Sequence, residues 1–338
     1  MKITVLGDGG WGTALSILLD GNGHETMLWS VDPDYARILR ERRSNPKFLP
    51  GVRIPKTVRI TSSPSEAMEF GELIFSAVPV QYMRAVLKQC RRSHRGAPIV
   101  NAAKGLEIGT LLRGSEVVRD VLGEVPVGAI SGPSHAEEVA RRLPTTVVAA
   151  SQVRGLPETV QRALNNDRFR VYTSSDIMGV ELGGAIKNVI AIAAGISDGL
   201  GFGDNTKAAL LTRGTVELAR LGAALGARPE TFWGLSGIGD LITTAVSPYG
   251  RNRRVGYLIG RGHKLADILA GMEQVAEGVW TVKAVRKLAR LHKVEVPICE
   301  QVYLVLHRRK NPRKAVRELM LREPKSEHST TRASDGRP

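Results

Sequence analysis

The stretch "KITVLGDGGWGTALSILL", residues 2–19, decides how the chain is read. "KITVL" is a short run of β-favouring residues, and it passes without a linker into glycines and then into a segment with apolar residues on one helical face. The order is strand, glycine turn, helix. Gly7, Gly9 and Gly12 fit the spacing G-x-G-x-x-G, whose glycines permit a tight turn, close approach of a pyrophosphate, and close packing of helix on strand. The helix would then aim its free N–H groups and the positive end of its dipole at the phosphates. A second strand, "ETMLWS" at 25–30, follows as a dinucleotide-binding βαβ unit requires.

The residue that reads the adenosine ribose is expected near the end of that second strand, among Ser30, Val31 and Asp32. Asp32 stands 20 positions after Gly12, which suits an acidic hydroxyl ligand. It also opens "DPD", a pattern that suits a helix cap followed by proline. Both readings stay open, and with them the choice between NAD and NADP.

Further strand-like segments lie at 72–78, 97–103, 126–132, 144–150 and 169–174, separated by helical patterns, which argues for a parallel, doubly wound sheet. Beyond about residue 185 the pattern is helical: 180–196, 206–225, 237–246, 251–260, 264–271, 278–292, 297–307 and 312–321. The expected architecture is therefore α/β, with a Rossmann-like dinucleotide-binding domain over 1–185 and an all-helical substrate domain over 186–322. The tail 323–338, nearly free of apolar residues, is expected to be disordered.

Composition narrows the class of partner. With 338 residues, 42% hydrophobic and 24% charged, the chain suits two ordinary globular domains. The formal charge of +15 admits anionic partners, but much of it lies in mixed helical segments such as "RILRERRSNPK" and "KAVRKLARLHK". No nucleic-acid motif with interleaved aromatics accompanies them, so a small phosphorylated ligand is the expectation and nucleic acid is not. Cys90 and Cys299 are far apart and show no metal-ligand spacing, which suits reduced thiols in a cytoplasmic protein and no metal. Neither a signal peptide nor a membrane span is expected, since the longest apolar run is interrupted by Lys187.

That lysine is the sharpest chemical feature. In "GGAIKNVIAIAAG", residues 183–195, the neighbours of Lys187 at helical spacing are Gly183, Gly184, Ile190 and Ala191, none of which can pair with a charge. A buried, unpaired ammonium is costly, so a partner from elsewhere is required. Asp198 shares the stripe but lies about 16 Å along the helix. Asp240, in "GIGDLITT" at 237–244, is the candidate counter-charge, unless it serves only the dipole of its own helix.

Other motifs admit two readings each. Lys104 in "AAKGLE" ends a strand beside the expected crevice and is either a phosphate or carbonyl ligand or a loop lysine. In "SGPSHAEEVA", Gly132 and Ser134 line a pocket or Ser134 merely caps a helix, with Ala136 beside the cofactor and His135 an ordinary loop histidine. Arg251 and Asn252 in "SPYGRNRRVG" combine a guanidinium with a helix start, which is phosphate-binding chemistry or a capped surface helix. Glu277 in "VAEG" reads as a surface helix charge.

Taken in order, "GDGGWGTA", "AAKGLE", "SGPSHAEEVA", "GVELGGAIKNVIAIAAGISDGLGFGDNTKAAL", "GIGDLITT", "GRNRRVG" and "VAEG" closely resemble the bacterial-type NAD(P)-dependent glycerol-3-phosphate dehydrogenases over about residues 2–322. The resemblance implies a homodimeric enzyme that interconverts dihydroxyacetone phosphate and sn-glycerol 3-phosphate with NAD(P)H and supplies glycerol 3-phosphate for phospholipid synthesis. It implies Lys187 as the general acid/base, and Lys104, Gly132, Ser134, Asp240, Gly250, Arg251 and Asn252 as further substrate-binding residues. For the cofactor it implies Gly7, Gly9, Gly10, Trp11, Gly12, Val31, Lys104, Ala136, Arg251, Val275 and Glu277. Three positions depart from the family pattern: Gly250 where serine is common, His135 where phenylalanine is frequent, and Val31 with Asp32 where arginine or histidine is common.

Overall fold

The computed structural model describes residues 1–272, 275–324, 326 and 327. Of the tail 323–338 expected to be disordered, residues 325 and 328–338 lie outside the described residues. The strands are β1 (Lys2–Leu6), β2 (Glu25–Trp29), β3 (Ser44–Asn45), β4 (Leu49–Arg53), β5 (Arg59–Thr61), β6 (Leu73–Ser76), β7 (Ile99–Asn101), β8 (Val127–Ser131), β9 (Thr145–Ala150) and β10 (Phe169–Ser174). Helices α1 (Gly10–Gly21), α2 (Pro33–Arg42), α3 (Pro64–Phe70), α4 (Val80–Cys90), α5 (Gly114–Leu122), α6 (Ala136–Ala140) and α7 (Leu156–Leu164) alternate with them. The rest is helical: α8 (Ile177–Gly199), α9 (Asp204–Ala224), α10 (Asp240–Val246), α11 (Arg251–Gly260), α12 (Leu265–Ala270), α13 (Gly278–Leu291), α14 (Pro297–Arg308) and α15 (Pro312–Met320).

Eight strands form one sheet in the order β10-β9-β8-β7-β6-β1-β2-β5, and β3 pairs only with β4. β1 lies between β2 and β6, so the crevice at the topological switch opens above its carboxyl end, where the glycine turn begins. The sheet is not parallel throughout. β8 and β9 run antiparallel, and β10 then runs parallel to β9. In the link between β8 and β9 the only helix is the five-residue α6, about 7.5 Å long and less than half the length of a strand of about 16 Å, so it does not act as a crossover helix. β9 therefore starts at the end where β8 finished.

α8 is the axis of the helical part. It spans 23 residues, nearly all buried, and crosses the 185/186 boundary expected from sequence without interruption. By length and composition it could span a bilayer, yet 89% of its most apolar window is covered by the rest of the protein, as befits an apolar helix at the centre of a core. Asp176 caps it by accepting from the Gly179 N–H at 2.9 Å, and its other oxygen accepts from Arg228 N and Thr231 Oγ1.

α11 packs against α8 closer than side chains would allow. A Cβ placed on Gly256 would lie 2.0 Å from the Ile192 carbonyl oxygen, and one on Gly195 would lie 2.0 Å from that of Arg253. This contact brings the start of α11, with Arg251 and Asn252, alongside the middle of α8, where Lys187 sits. α10 is entered through a widened π turn, Leu235–Gly239, in which Gly237 permits backbone contact with Phe232.

Candidate active site

The carboxyl ends of β1, β6, β7 and β8 and the helices α8, α10 and α11 enclose a cleft of about 500 Å³. Its sheet-side floor is the turn Gly7–Gly12. Gly7 has φ +104°, and a Cβ on Gly12 would lie 1.8 Å from the Gly7 carbonyl oxygen, so the turn closes only with glycine at these positions. Gly9 is the N-cap of α1 and makes no side-chain capping bond, which leaves the first N–H groups of α1 available to an anion. The backbone fits a pyrophosphate, and Trp11, Val31 and Ala136 flank it.

On the helical side the charged groups are side chains. Lys187, 5% exposed at its side chain, donates from Nζ to Asp240 Oδ1 at 2.8 Å and to the Thr244 hydroxyl. The second Asp240 oxygen lies 2.7 Å from Lys104 Nζ, which also donates to the Gly132 carbonyl at 2.8 Å and reaches Ser134 Oγ at 3.5 Å. One buried carboxylate is thus shared by two ammonium groups. Asp198 is spent elsewhere, on Lys207 and Arg253.

This crowding sets the proton affinities. Burial, with Lys104 and Arg251 adding to it, pushes the Lys187 ammonium down to about 8 against the pull of Asp240. Burial alone would raise the Asp240 carboxyl, but Lys104 and Lys187 outweigh it and hold that carboxyl below its ordinary value. Burial, then Lys187 and Lys104, push the His135 imidazole down to about 4, so the ring is neutral at physiological pH. Burial raises the Glu277 carboxyl, although Arg251 opposes it.

A chain of amides holds the segments together. Asn188 donates to the Lys104 carbonyl at 3.1 Å and accepts from Asn252 Nδ2 at 2.9 Å, while Asn252 Oδ1 accepts from the Gly278 N–H at 3.0 Å. The Asn252 side chain therefore faces protein on both its polar ends. Arg251 is exposed and donates to the Val275 carbonyl at 3.2 Å, while Val275 and Glu277 line the cleft half-buried, so Glu277 is not the surface helix charge its motif suggested.

Several expectations change. Asp32 caps α2, accepting from Asp34 N at 2.9 Å and Tyr35 N at 3.3 Å, which selects the cap reading. Its proximity to proline favoured that use. Ser134 is not the cap of α6; His135 holds that position, and Ser134 Oγ donates to the Gly132 carbonyl at 3.0 Å instead. Gly132 does not line the cleft and acts through its carbonyl, with φ +133°. Gly250 stands where a Cβ would come 2.4 Å from the Thr244 carbonyl, so this turn has no room for the serine side chain common at that position. Sequence reasoning passed over Asn188 and Thr244. Thr244 was findable, one helical turn after Asp240; Asn188 points away from the stripe that singled out Lys187.

Residues 2–156 match the model described as NAD-dependent glycerol-3-phosphate dehydrogenase N-terminus, and residues 176–317 match the C-terminus of the same family. A glycerol-3-phosphate dehydrogenase (NAD(P)+) of Chlorobium phaeobacteroides is 49% identical over 334 residues, covering 97% of this chain and all of the relative. A protein of the same name from Geobacillus thermodenitrificans is 49% identical over 331 residues, covering 96% of each. The crystal structure of glycerol-3-phosphate dehydrogenase from Coxiella burnetii superposes with a TM-score of 0.91 at 38% identity, covering 95% of this chain and 98% of that one.

Proposed function

Because this chain belongs to the NAD-dependent glycerol-3-phosphate dehydrogenase family, we propose that its cleft interconverts dihydroxyacetone phosphate and sn-glycerol 3-phosphate with NAD(P)H. The observation that carries this reading is the buried Lys104–Asp240–Lys187 array facing a glycine turn across one cleft. When bound, the nicotinamide supplies or accepts the hydride. The protein's part is to hold the phosphorylated substrate and to move one proton.

In reduction, Lys187 as ammonium stabilises the alkoxide developing at the central carbon and donates its proton. Its proton affinity near 8 suits both directions, because the ammonium predominates below that pH and the amine, needed to accept a proton in oxidation, predominates above it. Asp240 orients Lys187 and keeps it from losing its proton too readily. Lys104, with the Gly132 carbonyl and Ser134, lies between substrate and cofactor as a second fixed positive charge. The substrate phosphate is held at the start of α11 by the first-turn N–H groups of Arg251 and Asn252 and by the Arg251 side chain, which also reaches toward the cofactor, whereas the Gly250 N–H donates to the Ser247 carbonyl at 3.1 Å and shapes the turn. Gly7, Gly9, Gly10, Trp11 and Gly12 hold the pyrophosphate, and Val31, Ala136, Val275 and Glu277 flank the rest of the dinucleotide.

The reading extends to a cytoplasmic homodimer that supplies glycerol 3-phosphate to phospholipid synthesis. With neither Val31 nor Asp32 cationic, no strong preference for the 2′-phosphate is expected. The test is a spectrophotometric panel. NADH and NADPH should both be consumed with dihydroxyacetone phosphate, whereas 2-keto acids should be turned over poorly; the reverse order would defeat the reading.

A further inference from the structure

Asn101, the last residue of β7, is 2% exposed and its amide is committed on every side. Its Nδ2 donates to Glu181 Oε1 of α8 at 2.7 Å and to the Ala103 carbonyl at 3.2 Å, while its Oδ1 accepts from the Ala103 N–H at 3.0 Å. One side chain thus fixes the shape of the loop that carries Lys104 and ties that loop to the helix that carries Lys187. Glu181 is itself anchored, accepting from Arg113 Nη1 at 2.7 Å, Ser115 N at 2.8 Å and Ser115 Oγ at 2.5 Å.

The connections close into a ring. From Asn101 the chain leads through Ala103 to Lys104, whose ammonium meets Asp240 Oδ2; Asp240 Oδ1 meets Lys187, and α8 leads back to Glu181, six residues or about 9 Å away. Asn188 adds a strut to the Lys104 carbonyl.

We infer that Asn101, clamped by Glu181, is a positioning residue that sets how much of the Asp240 carboxylate Lys104 takes from Lys187. The inference rests on the reading of Lys187 as the general acid/base. The charged and titratable groups facing Lys187 are Asp240 of α10, Lys104 of the loop after β7, Arg251 of α11, His135 before α6 and Glu277 before α13. His135 is neutral in the working range, and Arg251 and Glu277 are anchored outside the 101–104 loop, Arg251 to the Val275 carbonyl and Glu277 at the start of α13. What changes is Lys104. Its withdrawal removes a repelling charge and leaves Asp240 undivided, and both effects raise the proton affinity of Lys187.

The experiment is the pH dependence of kcat/KM for reduction of dihydroxyacetone phosphate by the full chain, comparing wild type, Asn101→Ala and Ser115→Ala, with thermal melts of each. In the wild type activity should fall as pH rises through about 8. Asn101→Ala should move that fall upward by about half a unit or more, a fraction of the one-to-three-unit effect of an adjacent charge. Ser115→Ala, which removes one bond to Glu181 Oε2 but leaves Oε1, the oxygen that accepts from Asn101, held by the Ser115 N–H, should leave it in place. If Asn101→Ala does not fold, Asn101→Ser is read in its stead, since a serine cannot bridge both Ala103 and Glu181. A folded Asn101 variant with the fall unmoved, or an equal shift in Ser115→Ala, overturns the inference. Absence of any fall near pH 8 in the wild type would instead defeat the assignment of Lys187.

Discussion

Gly7, Gly9 and Gly12 make one wall of the cleft from backbone alone, whereas the facing wall is made of side chains delivered by segments 53 to 136 residues apart in sequence, Lys104, Lys187 and Asp240. The first wall binds by what is absent: a Cβ at Gly12 would overlap the Gly7 carbonyl at 1.8 Å. The second works by what is crowded together, one carboxylate and two ammonium groups, with Asp240 the only ion-pair partner of either lysine among the described residues. The difference teaches that binding of the dinucleotide and transfer of the proton are separately breakable.

The largest effect should come from the side-chain wall. Lys187→Ala is expected to lower kcat by about 10²–10⁴-fold, the usual contribution of a positioned acid/base. Dinucleotide affinity, followed by the fluorescence of bound NADH, should stay within a few-fold of wild type. Near-normal turnover in the purified variant would break the comparison at its stronger end.

Gly12→Val attacks the other wall. Overpacking of about 1–3 kcal/mol, if it falls on the bound state, should weaken NADH binding about five- to 150-fold. Any pH dependence of the residual activity should keep its wild-type position, because Lys187 and its partners are not touched. A shift in that profile would mean that the two walls are coupled more tightly than their contacts imply.

A smaller effect sharpens the contrast within the helical part, where a second buried acid has no lysine. Glu217 accepts from the backbone N–H groups of Ile298 and Cys299 at the start of α14. Burial nonetheless raises its carboxyl to about 7 from 4.5. The folded protein therefore holds a proton there that the unfolded chain releases, so this group's contribution to stability falls as pH rises from about 4.5 to about 7 and is level above. In Glu217→Gln that part of the decline should vanish, visible as a Tm difference of a few degrees between pH 5 and pH 8 that the wild type shows and the variant lacks.

How much of this was legible in the sequence follows the same division. The backbone wall is local: one strand, one glycine spacing and one helix lie within residues 2–21, and spacing rules read such segments directly. Lys187 was legible as a problem, a charge in an apolar helix, and eliminating Asp198 by distance left Asp240, which the structure places 2.8 Å away. The reversal of β9 was not read, because a five-residue helix between two strands gives the same alternating pattern as a longer crossover. Nor was the amide chain Asn188–Asn252–Gly278, since its members lie 64 and 26 residues apart and meet only because glycines let α11 settle onto α8. Gly250 looked like a lost hydroxyl; in three dimensions it is a place where no side chain fits.

The measurement that bears most directly on the central claim is the pH profile of dihydroxyacetone phosphate reduction by Asp240→Asn. Removing the carboxylate removes the attraction that holds the proton on Lys187, while burial, Lys104 and Arg251 continue to expel it. The fall in activity should move from about pH 8 to lower pH by about one unit or more, with NADH binding unchanged. A profile that stays where it is in the wild type would contradict the claim that this contact governs the proton.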